Sequence, residues 1–551
     1  MIPKKYAMFL TAAAILFFAA GCNEIDQTAP ELDILSVEYS TTEAVTESVV
    51  TTVATTTAST TVSTELTGPE YTQIPLDIPE IDTEEFELVI QAESQELPDA
   101  FETMNEKADY TGSGYISGLS GELENTFAFN AELPSTQHYD ISIVVCAEEG
   151  AECIVSVNDE EIEDIVIESS DGFISATIPG IYIEAGDNRI SIQQKSGDML
   201  LDCLEIRNNT SFMPDTSASF SMINENASPE AKKLFEFICD NYGKAIISGQ
   251  HVSGSDNSEI ARIVKTSGKY PAVRFADMYS YSCNSSSSAE RDETVGAALE
   301  WSSSGGITGF MWHWFAPMGE MDILEKSDDF SLSDAVTFEN IACLTPKALD
   351  ELQKKGDISR ECVKLIADID SVSEGLKKLR DANIPVLWRP LHQAGTGDYW
   401  WDSEGCDVYL WLWDLLYRRM TEYHGLDNLL WVWSGVDVQY LPDSSQYDIA
   451  TADIYLTEEE TFGSGYTSYY ALRKMTDGKL IALSECSSLP DIAIAFRDGS
   501  VWSYFGLWYE PYLEKEDNEF VDSETLISVY NSEGVLTRED YVEYCRQHVT
   551  S

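Results

Sequence analysis

Eight short apolar runs, separated by longer helical stretches, occupy residues 228–551 and constrain the fold more than any other feature. The runs lie at residues 245–251, 270–275, 309–314, 384–393, 429–434, 449–455, 480–485 and 504–509. Predicted helices, among them 229–242, 372–382 and 406–423, lie between the runs. Strands that alternate with helices form parallel sheets, and eight such units close into a barrel. We therefore predict an α/β fold, a (β/α)8 TIM barrel over residues 228–551.

A different pattern precedes the barrel. Short runs that alternate between polar and apolar residues recur between Gly, Asn and Asp turns, for example at 127–129, 139–145, 153–157 and 188–192. Regular short strands without helical segments are typical of a β-sandwich. We predict an all-β sandwich domain over residues 85–209, joined to the barrel by a linker at residues 210–227.

The N-terminus has the order of an export signal. Two lysines precede an apolar stretch from Met8 to Ala20, which is too short to span a membrane as a mature helix. The Ala-Ala-Gly before Cys22 resembles a bacterial lipoprotein box. That resemblance implies a signal peptide over residues 1–22, lipidation of Cys22, and an extracellular protein anchored to the cell membrane. An ordinary secretory signal is the alternative, and either signal exports the protein.

The segment at residues 23–84 has the composition of a spacer. Thr, Ser, Val and Ala dominate it from about Ser40 to Thr67, without helix or strand punctuation. Such a composition predicts a disordered linker, which would hold the folded domains away from the membrane.

The formal net charge of −63 excludes two classes of partner. Phosphate backbones and anionic lipid headgroups would be repelled, so we expect no nucleic acid partner and no membrane contact except through the lipid anchor. Neutral polysaccharide is compatible with this charge, because sugars are recognised by aromatic stacking and hydrogen bonds.

The 11 cysteines show neither a tight disulfide framework nor the spacing of a zinc site. Cys146 and Cys153 flank a turn-like segment. They either pair across a hairpin or remain free buried thiols.

Polar residues end the predicted barrel strands, where the active site of such a barrel is built. They are His251, His313, His392 with Gln393, Asp453 with Tyr455, and Glu485. The tryptophans at or just past strand ends, which predict a cleft for a carbohydrate chain, are Trp312, Trp314, Trp400, Trp401 and Trp508. A retaining glycosidase needs a nucleophilic carboxylate and a facing acid/base carboxylate. Glu485 is well placed as the nucleophile, and the facing position at the end of the fourth strand is Gln393.

Several segments of the barrel resemble glycoside hydrolase family 26, which consists mainly of β-mannanases. They are residues 247–251, 311–313, 388–393 with 400–401, 482–485, and 529–531 with 536–537. The resemblance implies a retaining, endo-β-1,4-mannanase-like enzyme that needs no cofactor and acts on β-mannan or a related β-glycan. It implies Glu485 as the nucleophile, and the predicted substrate-binding residues are His251, His313, His392, Trp400, Tyr455 and Trp508. We expect a monomer.

The family has a glutamate where this chain has Gln393. An amide has no proton to donate at neutral pH, and general acid assistance contributes about 10²–10⁴ in rate. Three interpretations are open. Another carboxylate in the following loop, namely Asp398, Asp402 or Glu404, protonates the glycosidic oxygen. Alternatively, the protein binds glycan without turnover, or Gln393 positions water for a substrate with a good leaving group.

The sandwich resembles a carbohydrate-binding module of family 35 or its family 6 relatives at residues 90–93, 110–115 and 201–206. In that group, carboxylates at the ends of the sandwich hold a structural calcium, and Glu93 and Asp202 match those positions. Gln91 stands where a second glutamate is usual. The resemblance implies a structural calcium, with ordinary turn carboxylates as the alternative, and the module either binds sugar or acts as a spacer.

Overall fold

A computed structural model of the chain describes residues 65–120, 125–212, 217–218, 220–282, 288–319, 329–456, 463–476, 478–509, 512–513 and 520–548. The predicted signal peptide, Cys22 and most of the predicted linker at residues 23–84 lie outside these residues. The described part contains a β-sandwich followed by a closed parallel barrel.

The sandwich is built from nine antiparallel strands, among which the last is the longest. They are β1 (Glu87–Gln91), β2 (Glu102–Met104), β3 (Tyr115–Ser120), β4 (Thr126–Leu133), β5 (Gln137–Cys146), β6 (Ala151–Val157), β7 (Glu160–Ile167), β8 (Ile174–Ile183) and β9 (Gly186–Asn208). The first half of β9 pairs with β4 and β6, and its second half pairs with β1, β3 and β5. One strand therefore joins the two sheets, whose alternating apolar residues form a common core.

Ten short strands follow the sandwich. They are β10 (Ile246–Ile247), β11 (Gly249–His251), β12 (Val273–Asp277), β13 (Ile307–Met311), β14 (Val386–Arg389), β15 (Leu429–Ser434), β16 (Ile449–Ile454), β17 (Leu480–Cys486), β18 (Phe505–Leu507) and β19 (Val535–Leu536). Strands β11 to β18 pair in parallel and in sequence order, and β18 closes on β11. The predicted TIM barrel with an N-terminal all-β sandwich is confirmed.

Helices cover the barrel strands. They are α1 (Pro229–Asn241), α2 (Ser258–Ser267), α3 (Ser288–Ser303), α4 (Leu332–Ala335), α5 (Pro346–Lys355), α6 (Arg360–Asp381), α7 (Cys406–Arg418), α8 (Tyr466–Thr476), α9 (Ile492–Asp498), α10 (Ser523–Tyr530) and α11 (Arg538–Gln547). Ser228 caps the first of them by accepting a hydrogen bond from Ala231 N, and Pro229 stands in the first turn, where proline is favourable. Among the helices of the described ranges, none is both long and apolar enough to cross a bilayer.

The described end of the predicted linker, residues 65–84, differs from a disordered spacer. Ile74 N donates to Asn531 O at 2.7 Å, and Glu533 N donates to Ile74 O at 2.9 Å. Leu76 packs against the core of the barrel. Backbone pairing and an apolar contact hold this part of the segment on the barrel, which the Thr- and Ser-rich composition upstream did not predict.

Aromatic side chains join the sandwich to the barrel. The ring of Tyr466 lies 4.5 Å from that of Tyr182 and 5.0 Å from that of His138. The Tyr182 hydroxyl donates to Asp498 Oδ2 at 2.8 Å. The contact therefore combines ring packing with one hydrogen bond to a buried carboxylate.

Cys146 and Cys153 are free thiols, so of the two alternatives the hairpin disulfide is wrong. Cys146 ends β5 and Cys153 lies in β6, and these strands belong to different sheets. The Cys146 thiol donates instead to Ser170 O at 3.4 Å.

Candidate active site

Glu485 lies at the carboxyl end of β17, at the face of the barrel where the strand ends converge. Its side chain is 3 % exposed. One carboxylate oxygen accepts a hydrogen bond from the Tyr455 hydroxyl at 2.5 Å, and the other pairs with the Arg389 guanidinium. A cation on one oxygen and a hydroxyl donor on the other therefore fix the carboxylate in one orientation.

Arg389, the last residue of β14, lies between two carboxylates. Besides Glu485, it binds Asp453 Oδ2 through Nη1 at 3.1 Å. Asp453 also accepts hydrogen bonds from Ser434 Oγ at 2.9 Å and Ser484 Oγ at 2.5 Å. Burial alone would lower the pKa of Arg389, but the two carboxylates raise it above its ordinary value. The network therefore keeps its central cation charged and fixes the nucleophile candidate from behind.

Gln393 lies four residues beyond Arg389, in a strained turn. Both Leu391 (φ 49°) and Gln393 (φ 57°) adopt the left-handed conformation that side chains other than glycine rarely take. The Gln393 backbone N–H donates to Ser434 Oγ at 3.2 Å, and its side-chain Oε1 accepts from the Tyr399 hydroxyl at 3.2 Å. The side chain is thus oriented by a donor on its oxygen, but it carries no titratable proton.

Asp402, one of the three loop carboxylates considered as a replacement acid, is buried within its own loop. Its oxygens accept backbone hydrogen bonds from Gly397 at 2.9 Å, Tyr399 at 3.0 Å and Gly395 at 3.1 Å. Burial raises the pKa of Asp402 to about 6, and these hydrogen bonds oppose the shift. A carboxylate whose two oxygens both accept backbone N–H groups of its own loop organises that loop.

Glu404 is also committed to the protein backbone. It accepts from Leu332 N at 3.0 Å and from Ser333 N at 2.9 Å, at the start of α4. Burial alone would raise the pKa of Glu404, but these bonds and those of the neighbouring serine hydroxyls lower it. Glu404 therefore caps a helix as an anion, and Asp398 is the exposed member of the three.

The three histidines at strand ends have different environments. His251 binds the Ser484 carbonyl through Nε2 at 2.8 Å, and burial lowers its pKa to about 3. Burial, followed by the charges of His313 and Arg389, lowers the pKa of His392 well below its ordinary value. For His313, burial also acts to lower the pKa, but the carboxylate of Asp277 raises it overall. These environments therefore favour the protonated form of His313 and the neutral forms of His251 and His392.

The aromatic residues expected to line the sugar subsites divide into two groups. Tyr455 and Trp508 lie next to the nucleophile candidate, with their rings 6.3 Å apart. Trp400 is 2 % exposed, donates from Nε1 to Trp314 O at 2.6 Å, and packs against Phe330. Trp312, Trp314 and Trp401 are likewise almost fully buried. All four indoles belong to the buried core of the barrel, and contact between Trp400 and sugar stays a prediction.

Comparison with known proteins identifies the barrel. The sequence model of glycosyl hydrolase family 26 matches residues 223–540. The chain belongs to glycosyl hydrolase family 26. The model of carbohydrate binding module family 35 matches residues 88–209, which is the sandwich. Membership confirms the predicted class of enzyme, a glycoside hydrolase.

Individual relatives cover both domains. A mannan endo-1,4-beta-mannosidase of Thermothelomyces thermophilus is 30% identical over 436 residues, 78% of this chain and 86% of the relative. Mannan endo-1,4-beta-mannosidase A of Piromyces sp is 29% identical over 79% of this chain and 70% of the relative. The crystal structure of a GH26-CBM35 beta-(1,4)-mannanase of Podospora anserina is 28% identical, covers 83% of this chain and 99% of its own, and has a TM-score of 0.54.

Three residues of the candidate site were not predicted from the sequence: Asp277, Arg389 and Tyr399. Asp277 ends β12, but the predicted strand stopped two residues earlier, at Phe275. Arg389 is a charged residue at the end of a fully buried strand, a pattern that signals a paired charge. Asp453 is predicted from its place at a strand end, but its role depends on contacts with three other strands.

In the sandwich, Glu93 and Asp202 both bind the turn that follows Tyr110. Asp202 accepts from Thr111 N and Oγ1, each at 3.0 Å, and Glu93 Oε1 accepts from Ser113 N at 2.6 Å. The second oxygen, Glu93 Oε2, is buried and has no hydrogen-bond partner among the described residues. Within those residues no group of three or more His, Cys, Asp or Glu could hold a metal. The orphaned carboxylate oxygen fits a cation ligand, because calcium prefers oxygen donors.

Proposed function

We propose that this family 26 chain is a retaining glycoside hydrolase that cleaves β-mannan or a closely related β-glycan. The observation that carries the proposal is the environment of Glu485. A buried carboxylate, bound by Arg389 and by the Tyr455 hydroxyl, ends a barrel strand beside Trp508. The relatives from Thermothelomyces thermophilus and Piromyces sp are mannan endo-1,4-beta-mannosidases, which supports the substrate class.

In the proposed mechanism, a Glu485 oxygen attacks the anomeric carbon and a covalent glycosyl-enzyme forms as the glycosidic bond breaks. Arg389 binds the carboxylate and orients it before attack. Water then cleaves the glycosyl-enzyme with overall retention of configuration. Gln393 occupies the usual acid/base position, where its amide can orient but not protonate the leaving oxygen.

The proposal extends to the rest of the chain. The N-terminal sequence supports export and anchoring at the cell membrane through lipidated Cys22, and the family 35 match supports a module that assists attachment to polysaccharide. If a structural calcium is present in that module, Glu93 and Asp202 with the Gln91 amide oxygen would supply ligands. We propose a monomer that needs no catalytic cofactor.

The second candidate function is glycan binding without turnover, and the amide at position 393 favours it. The decisive measurement is the release of reducing ends from β-mannan by the purified protein. We expect wild type to release them and Glu485→Gln to release none, because loss of the nucleophile removes the covalent route. If wild type is inert and Gln393→Glu is active, the native chain is a binding protein on an enzyme scaffold and the proposed hydrolysis is wrong.

A further inference from the structure

The proposed mechanism lacks a donor for the proton that the leaving glycosidic oxygen takes up. Gln393 cannot donate one, Asp402 is surrounded by backbone N–H donors, and Glu404 caps α4. Cleavage of an unactivated glycosidic bond still requires protonation of the leaving oxygen. The proton donor, if the proposed function holds, is therefore a group other than these three.

We propose that His313, held by Asp277, is the proton donor of this family 26 chain and takes over the role that the amide at position 393 cannot perform. This inference rests on the proposed hydrolysis and names the acid/base group within it.

The position of His313 in the barrel is the first support. Strands β13 and β14 pair in parallel with Met311 opposite Arg389. His313 follows Met311 by two residues and Gln393 follows Arg389 by four, so both leave neighbouring strands on the same face, where adjacent strands lie about 4.8 Å apart. The His313 ring contacts that of His392, the residue before Gln393, at 4.6 Å.

The second support is that His313 and Glu485 border the same space. The His313 ring lies 6.4 Å from that of Trp508, and Trp508 lies 6.3 Å from Tyr455, whose hydroxyl binds Glu485. The His313 side chain is 19 % exposed, whereas that of Glu485 is 3 % exposed. Solvent and substrate therefore reach the imidazole more readily than the charged groups behind it.

The third support is the way in which Asp277 holds the ring. Its two oxygens bind His313 twice, at Nδ1 and at the backbone N–H, the latter at 3.0 Å. A carboxylate on Nδ1 fixes the proton there and leaves Nε2 as the nitrogen that exchanges a proton with a ligand. The pairing of a carboxylate with a histidine is the arrangement that other hydrolases use to orient a general base.

The charged groups around His313 favour its protonated form, as a proton donor requires. Burial and the nearby Arg389 act to lower the pKa of His313, but Asp277 and Glu485 raise it overall. The facing ring of His392 has a pKa well below its ordinary value and stays neutral. The nearby carboxylates thus favour the protonated form of His313, which is the form that the proposed step requires before attack.

The proposed reaction balances in two steps. In the first, a Glu485 oxygen bonds to the anomeric carbon, the glycosidic C–O bond breaks, and Nε2–H of His313 protonates the departing oxygen. In the second, neutral Nε2 takes a proton from water as the water oxygen bonds to the anomeric carbon and the bond to Glu485 breaks. The imidazolium and the carboxylate are both restored.

The test compares His313→Gln with wild type on β-mannan and on 2,4-dinitrophenyl β-mannoside, whose leaving group needs no proton. We expect His313→Gln to lose about 10²–10⁴-fold in rate on mannan. On the aryl substrate it should still give a burst of dinitrophenol, followed by slow turnover. Azide should restore that turnover by forming β-mannosyl azide, because an anion attacks without a base.

Three further variants keep the test decisive. Asp277→Asn should move the basic limb of the pH–rate profile to lower pH by about 1–3 units, because it removes the opposite charge that keeps His313 protonated. Adding Gln393→Glu to His313→Gln should recover mannan hydrolysis, because the glutamate supplies the proton from the position usual for the family. Asp398→Asn tests the exposed loop carboxylate and should keep the wild-type rate.

The outcomes separate this inference from the proposed function. If wild type is inert on both substrates, hydrolysis itself is wrong and the inference is lost with it. If wild type is active but His313→Gln hydrolyses mannan equally well, or loses both substrates to the same degree without a burst, His313 is not the proton donor. A large loss on mannan alone in Asp398→Asn would assign the proton to that loop instead.

Discussion

The carboxylate of Asp402 determines the shape of the turn that carries Gln393. Both of its oxygens accept hydrogen bonds from the loop backbone, and the Tyr399 that it anchors in turn donates to the Gln393 side chain. Two residues of this turn lie in the left-handed region, a conformation that costs free energy unless the surroundings impose it. Asp402 is therefore expected to stabilise the loop rather than take part in proton transfer.

Asp402→Asn should lower the free energy of unfolding by about 1–3 kcal/mol at pH 7, because an amide offers one acceptor oxygen and turns an N–H₂ group towards a backbone donor. The measurement is urea unfolding, with Asp398→Asn, an exposed neighbour, as the control expected to change by less than about 0.5 kcal/mol. Equal effects of the two changes would contradict the role of Asp402.

The raised pKa of Asp402 also predicts how the stability difference between wild type and Asp402→Asn changes with pH. The pKa of Asp402 is raised to about 6 by burial, above its unfolded value of about 3.9. The stability that comes from this pKa difference is therefore fully present below pH 4 and is lost as the pH rises through 6, in addition to the hydrogen-bond effect expected at pH 7. The advantage of wild type over Asp402→Asn should grow as the pH falls from 7 towards 4.

The strands and helices of the barrel could be predicted from the sequence because buried parallel strands are continuous apolar runs. The predicted run 429–434 coincides with β15, and the site follows from the polar residue that ends each run, as for Glu485. The tryptophans were harder to assign, since an indole such as that of Trp400 fits a core as well as a sugar platform. The hydrogen bonds of Asp402 come from the folded loop, and no spacing in the sequence reveals them.

Arg419 connects three segments of the barrel through hydrogen bonds and an ion pair. It begins a π-helical turn, Arg419–Tyr423, that continues α7, and its side chain is fully buried. It binds both oxygens of Asp370 on α6 at 2.7 and 2.8 Å, and it donates to the carbonyls of Ala342 and Leu344 at 2.9 and 2.8 Å. One guanidinium therefore ties α6, α7 and the segment before α5 together.

Arg419→Met should destabilise the barrel by about 3 kcal/mol, the low end for breaking a buried ion pair, because Asp370 is 25 % exposed and partly solvated. Arg418→Met is the matched control. Arg418 pairs with Glu422 at 3.4 Å on the surface and should change stability by less than about 1 kcal/mol. Thermal unfolding of the two variants side by side tests the difference, and indistinguishable melting temperatures would contradict the assigned role.

The sandwich and the barrel are expected to unfold with some coupling, because they share a buried polar contact as well as ring packing. Asp498 is 2 % exposed and is bound by Arg497 at 2.7 Å from the barrel side and by the Tyr182 hydroxyl from the sandwich. The ring of Tyr182 packs on Tyr466 independently of its hydroxyl. Removal of the hydroxyl alone therefore tests the polar part of the contact.

Tyr182→Phe should weaken the free energy of interaction between the sandwich and the barrel by about 1–3 kcal/mol. The change keeps the ring but leaves a buried carboxylate without one donor. Calorimetry should show the sandwich transition moving to lower temperature and separating from that of the barrel. Tyr139→Phe is the control, since the Tyr139 hydroxyl donates to Ser135 O at 2.6 Å within the sandwich. That change should lower the stability of the sandwich without altering the barrel transition. If Tyr182→Phe unfolds as wild type does, ring packing alone joins the two domains and the hydrogen bond to Asp498 contributes nothing to their coupling.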